Sequence, residues 1–399
     1  LRGMRSACSY RTSNAIAFRP EIHDVSSVTV TSPTSLTINL DQPVAGAFYP
    51  LLSGLETAPV SPTAVGKGVN LGTSPVGAGA FTLTSNTIGQ AIVFKKNPQY
   101  WDAKSIKLGG VDILNYTSIP AEIDALRVDQ IDAAPFDVSS LAALKAAGLK
   151  ASVVPAQASQ LNVELCKSSP PLDSVQVRQA LNYATNRKAI ITSLTHGLGQ
   201  VQWGLWPSSS NLFPADLKNI YPYNPKKAKA LLAAAGYPNG IHVSVIETLS
   251  PVAEQTNLIL QQEWANAGID LTIVPSTNYV VDLLQHHLAQ MGTSTQVKPG
   301  VSGVSDAFNV PTSLADICGY DNPAMTPLIA NLERASTGTQ ASVQAWKQVQ
   351  DFIIRNALHV FIGFVPVVVG WNPARVGGIQ AYAPWNTSHV NYWTAYVKR

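Results

Sequence analysis

Apolar positions along this chain change period several times, and the changes mark out its elements. Val28 and Val30, then Leu36, Ile38 and Leu40, alternate with polar residues around Ser-Pro-Thr-Ser, which predicts a hairpin over residues 25–44 with one buried face. Phe81 and Leu83, then Ile92 and Phe94, repeat the alternation around Gly89. Asn97-Pro98 ends that second strand, and Tyr100-Trp101 supplies a large apolar anchor. Before it, Gly77 and Gly79 stand where the backbone needs conformations or approaches that a Cβ would block. From Val111 the periods of two and of 3.6 interchange. A strand at VDILNY leads to a helix over 121–128, a short strand over 131–133, a helix over 138–147 stopped by Gly148, a strand over 151–154, and the alternating strand QLNVELC over 160–166. Such interchange predicts α/β architecture.

Residues 169–200 carry the strongest local signals. Pro170 and Pro171 stop the preceding strand, and Asp173 caps a helix whose third position, Gln176, completes a capping box. Val177, Ala180, Leu181 and Ala184 form its packing face, with Gln176, Arg178, Gln179 and Asn182 largely opposite. A second helix over 189–194 ends at Gly197, suited to a left-handed cap. Further on, YNPKKAKALLAAAGYPNG predicts a helix between Asn-Pro and Gly-Tyr-Pro, with Lys226, Lys227 and Lys229 on a solvated face. A strand over 241–246, a helix over 252–267, a strand over 269–274 and a helix over 279–288 follow, then helices from Ala324 and over 340–356 and a strand over 359–371.

The 399 residues are enough for two or three domains, and 46% of them are apolar. A net charge of +3, from 27 basic and 24 acidic residues without a block of like charge, argues against nucleic acid as a partner. The longest apolar run, 358–371, is broken by His359, Gly363, Pro366 and Gly370 and is too short to span a bilayer. The chain begins with Leu and shows no apolar signal region, which reads as a fragment or a processed product. Cys8, Cys166 and Cys318 lack CxxC spacing; a bridge between Cys166 and Cys318 and a pair of buried thiols both remain open. Catalytic patterns such as GxSxG, HExxH and SxxK with partner motifs are absent, and His286 and His287, being adjacent, point apart on a helix. No cofactor or metal is expected.

Four blocks, at 74–102, 123–134, 169–199 and 223–240, stand in the order found in the family 5 extracytoplasmic solute-binding proteins, which this chain resembles from Val25 to Arg399. The resemblance implies a type II periplasmic-binding-protein fold. Two α/β lobes joined by two crossing strands would be accompanied by a partial extra β-rich domain: residues 1–72 a remnant of that domain, 73–162 lobe I with 366–399 returning to it, and 163–365 lobe II. It implies a receptor of an ABC importer, periplasmic or otherwise extracytoplasmic in a bacterium, that captures a peptide or other small polar solute and delivers it to permease subunits. The receptor would be a monomer, held at the membrane only through the transporter or a lipid anchor outside this chain. A sensor or chaperone-like relative and a hydrolytic enzyme are the alternatives.

The resemblance also directs attention to the ligand. Peptide receptors of the family carry a "Trp, x, x, Asp, Tyr" run whose acid receives the peptide's amino group; here the ungapped counterpart of that acid is near Pro299, and Asp306 is the nearby acid that a shifted loop would bring into its place. Thr293, Thr295 and Gln296 offer hydroxyls and an amide without charge, and Trp203 and Trp206 sit in a Gly/Pro-bounded loop. These six residues are the expected ligand contacts, and the lack of charge points to a cargo less cationic than a simple dipeptide, such as a modified peptide or a glycoside.

Overall fold

A computed structural model describes residues 25–52, 58–116, 118–248, 250–284, 287–296, 300–308, 318–382, 389–390 and 392–398. The expectations that concern residues 1–24, His286, and the side chains of Gln296 and Asp306 lie outside what is described. β1 (Val25–Ser32) and β2 (Ser35–Leu40) form the expected hairpin, with Val28 opposite Ile38 and Val30 opposite Leu36, all half-buried. Helix α1 (Ala45–Leu51) follows, and Ala47 is buried in one core with Leu332, Ile329 and Trp346. After the short α2 (Pro62–Gly66), β3 (Phe81–Thr87), β4 (Ala91–Lys96) and β5 (Gly110–Leu114) make a separate antiparallel sheet. Trp101 is not an anchor: it lies in a turn beyond β4, is 85% exposed, and has the neighbouring Tyr100 ring 5.6 Å away. Of the two glycines, a Cβ at Gly77 would press on the Pro59 carbonyl at 3.2 Å, whereas Gly79 has room for one.

The remaining elements are α3 (Ile119–Arg127), β6 (Ala133–Phe136), α4 (Leu141–Ala146), β7 (Lys150–Leu165), α5 (Val175–Ala184), α6 (Arg187–Thr195), β8 (Gln200–Val201), α7 (Pro225–Ala234), β9 (Ile241–Glu247), α8 (Pro251–Ala265), β10 (Ile269–Pro275), α9 (Tyr279–Leu284), β11 (Met291–Gln296), α10 (Val301–Phe308), α11 (Thr326–Arg334), α12 (Gln340–Arg355) and β12 (His359–Trp371), with the short pairs β13 (Val376–Gly377) to β16 (Tyr396–Val397) and β14 (Ala381–Tyr382) to β15 (His389–Val390) closing the chain. A seven-stranded sheet of order β10-β9-β11-β7-β12-β6, with β8 on β12, is its backbone. The two strands expected at 151–154 and 160–166 are one strand, β7. It stays whole because β12 pairs with it along both halves, from His359–Glu164 to Trp371–Lys150. The register shifts between Val365 and Val367, around Pro366, which has no N–H to give to a ladder. At one end the pair is flanked by β11 and β8, at the other by β6.

Leu161, Val163 and Leu165 point into a core shared with Val177, Leu181, Ile190, Leu260 and Trp264. Phe361, Leu358, Phe308 and Trp346 belong to a second core on the other face. Helix α5 shows why its sequence is so recognisable. Its cap is Ser174, whose hydroxyl accepts from Val177 N, rather than Asp173. Val177, Ala180, Leu181 and Ala184 are buried as expected, but Arg178 and Asn182 are buried too. Arg178 donates to the carbonyls of Leu172, Asp173 and Asn356, and Asn182 to His359 O at 3.2 Å. Arg187, its guanidinium lowered to about 10 by burial, bonds Phe361 O at 2.6 Å, the Asn182 and Tyr221 carbonyls, and Asn182 Oδ1. These side chains fasten α5 and α6 to β12 through backbone carbonyls that would otherwise be left without donors.

Candidate ligand-binding site

Because side chains alternate along a strand, β7 has two unlike faces. Opposite its apolar residues lie Gln160, Asn162 and Glu164, each less than 10% exposed. Antiparallel pairing sets Ser294 of β11 beside Asn162 and His359 of β12 beside Glu164. Ser294 Oγ donates to Glu164 Oε1 at 3.0 Å, and Asn162 Nδ2 lies 3.5 Å from His359 Nδ1. Burial pushes the Glu164 carboxyl up to about 7, against the opposing pull of the Ser294 hydrogen bond and the Lys167 charge. Burial, with Lys167 adding to it, holds His359 well below the usual imidazole range, so the ring is neutral. The Tyr279 hydroxyl is pushed well above its usual value by burial and by Glu164.

Elements on the second core's side close over this row. Phe308 of α10 packs on the His359 ring at 4.7 Å between centroids. Lys167 Nζ lies 5.4 Å from the ring centroids of both Phe308 and Tyr320 and donates to Leu165 O. Cys166 and Cys318 form a disulfide, Cα atoms 5.3 Å apart, which ties the segment before Tyr320 to the end of β7. Of the two possibilities left open by the sequence, the bridge is the one the fold adopts.

The residues expected at the ligand fall in different places. Thr293 is fully buried on the other face of β11, where its hydroxyl donates to Asn257 Oδ1 at 2.5 Å, and Asn257 in turn donates to Glu247. Thr295, half-buried, shares that face, opposite Leu161. Gln296 ends β11 opposite Gln160, and Asp306 is on α10. Trp203 and Trp206 both pack against the first core, Trp203 with Lys218 Nζ 5.9 Å from its ring, and Trp206 also reaches the second core, where it meets Trp346 edge-on at 5.3 Å. Their loop is bound to β7, because Gly204 O accepts from Gln160 Nε2, and to α12, because Trp206 N donates to Gln350 Oε1. Gln160, Asn162, Glu164 and His359 were missed by sequence reasoning, and Ser294 was noticed only as part of the neutral stretch 293–296. The signal was the alternation in QLNVELC, whose polar half reads as solvent-facing until both faces of the sheet are known to be covered. Among the described residues no three His, Cys, Asp or Glu gather as metal ligands, and no helix is long and apolar enough to cross a membrane.

The family model for bacterial extracellular solute-binding proteins, family 5, matches residues 5–309. The chain belongs to that family. This family 5 protein is 28% identical over 326 residues to the glutathione-binding protein GsiB of Shigella flexneri and of Escherichia coli K12, a match covering 80% of the chain. It spans 60% of the length of those curated relatives. Among solved structures it is similar to NikZ from Campylobacter jejuni in complex with Ni(L-His) (TM-score 0.85, 18% identity, covering 99% of this chain and 84% of that one). It is also similar to DppA from Helicobacter pylori in complex with the peptide STSA (0.84, 20%, covering 100% and 80%). The fold is that of the type II periplasmic binding proteins, as the family resemblance implied, and mixed α/β, as the residue patterns implied.

Proposed function

We propose that this chain is the ligand-capturing receptor of an ABC importer, working outside the bacterial cytoplasm as a monomer and handing its cargo to the permease subunits. The observation that carries the reading is the β7–β12 pair. Two long strands run together through both ends of one sheet, and polar groups are buried along one of their faces at the end flanked by β11. In the proposed lobe map, residues 73–162 with 366–399 form one jaw and 163–365 the other. Ligand contacts made by both jaws favour the closed state, and the permease reads that state. The protein binds and releases without altering its cargo.

The cargo proposed is a peptide or peptide-like solute, in keeping with the names of GsiB and DppA, and one less cationic than a simple dipeptide. Trp203, Trp206, Thr295, Gln296 and Asp306 are proposed to contact it, with Thr293 positioning β11 through Asn257. Isothermal titration calorimetry with glutathione, trialanine and the STSA peptide tests the reading, with mass spectrometry of the recovered solute. Saturable binding of glutathione, whose ammonium is outweighed by two carboxylates, tighter than that of trialanine and with the solute recovered unchanged, is expected; no heat from any of them, or a hydrolysed product, would overturn the receptor reading, and a preference for trialanine would overturn the less cationic cargo. Abolition of tight binding by Asp306→Asn would instead restore a charged-amine receptor.

A further inference from the structure

Burying a row of amide and carboxyl groups on a central strand is costly unless each finds a partner. Gln160 spends its Nε2 on Gly204 O at 3.5 Å, and Glu164 accepts from Ser294. Asn162 is different. Its Nδ2 faces His359, but Oδ1, on a side chain 1% exposed, meets no donor among the described residues. Gln202, fully buried just past β8, repeats the situation: its Nε2 donates to the same Gly204 carbonyl, and its Oε1 meets no donor among the described residues. Gln160 and Gln202 thus share the Gly204 carbonyl, and Asn162 lies two residues along β7 on the face of Gln160, which sets two amide oxygens with unused capacity at the end of the crossing strands flanked by β11. What they lack is hydrogen-bond donors.

We propose that the polar face of β7 is a cargo-reading surface, on which Asn162 Oδ1 and Gln202 Oε1 accept hydrogen bonds from amide N–H groups of the solute. The inference rests on the receptor reading and specifies the chemistry that receptor selects. Amide N–H groups suit the site better than an ammonium. Both acceptors are neutral, His359 beside Asn162 is neutral, Lys167 repels a second cation, and Glu164, the carboxyl of this row, is pushed up by burial and already accepts from Ser294. A thioether or hydrocarbon at either position would leave the incoming N–H groups buried without acceptors.

Asn162→Leu and Gln202→Met test the idea, each close to its parent in size and lacking the oxygen. Melting temperature without solute and calorimetric affinity for glutathione, trialanine and the STSA peptide are measured for wild type and both variants. The expectation is a modest change in melting temperature, since each variant relieves an unmet buried acceptor but also gives up the amide N–H that faces His359 or Gly204 O. Affinity for the peptide that wild type binds should weaken ~10-fold or more, the effect of one buried hydrogen bond lost. If Asn162→Leu does not fold, Gln202→Met decides alone. Unchanged affinity in a folded variant means that ordered water fills these oxygens, and overturns the inference while leaving the receptor reading intact. Failure of wild type to bind any of the three peptides overturns both.

Discussion

Glu164→Gln isolates the energetic consequence of placing a carboxyl inside the sheet. Glu164 ionises near 7 in the fold and near 4.5 in the unfolded chain. At ~1.4 kcal/mol per tenfold change in proton affinity, that gap is worth about 3 kcal/mol. The sign follows from proton counting. Below pH 4.5 both states hold the proton and there is no cost. Between 4.5 and 7 the folded state keeps a proton that the unfolded state releases, so stability falls as pH rises, and above 7 the loss is complete. Glutamine removes this slope. His359 contributes the opposite trend, losing stability as pH falls below 6.5, but it is present in both proteins and cancels in the difference. Urea unfolding at pH 4, 5, 6, 7 and 8 should therefore show the variant gaining about 3 kcal/mol on the wild type across the series. A difference that does not change with pH would refute the reasoning. A variant that loses ground as pH rises would mean that Lys167 and Ser294 more than offset the desolvation of the carboxylate.

Arg187→Met should cost about 3–5 kcal/mol in denaturant unfolding, because the carbonyls of Phe361, Asn182 and Tyr221 lose a buried donor at once; a cost below about 1 kcal/mol would show that water replaces it. Cys318→Ser, or reduction of the wild type, should lower stability by about 2–5 kcal/mol, since the bridge spans 152 residues and constrains the unfolded chain strongly; identical denaturation curves with and without reductant would contradict this. Gly363→Ala should cost about 1–3 kcal/mol, because a Cβ there would lie 2.2 Å from Ile191 Cδ1 and 2.7 Å from the Gln200 carbonyl. Adding Ile191→Ala should recover less than the whole loss, as the β8 carbonyl stays in place, and full recovery in a double-mutant cycle would show that the side chain alone is responsible.

Local pattern determined much of this protein. The hairpin at Val28 and Leu36, the buried stripe of α5 and the order of strands and helices from Val111 all depend on residues a few positions apart, where period and capping act. Function did not follow as readily. Arg178 and Asn182 read only as lying opposite the packing face, because the sequence does not announce the carbonyls of Leu172, Asn356 and His359 that come to meet them. Thr293 and Ser294 are neighbours in sequence, yet one supports Asn257 and the other Glu164, and which does which depends on the register of β11 against β7. The joining of two predicted strands into β7, the disulfide chosen from two open alternatives, and the buried row of Gln160, Asn162 and Glu164 all required partners more than 100 residues away. Polar residues in a strand signal solvent until something covers them, and only the tertiary structure says what covers them.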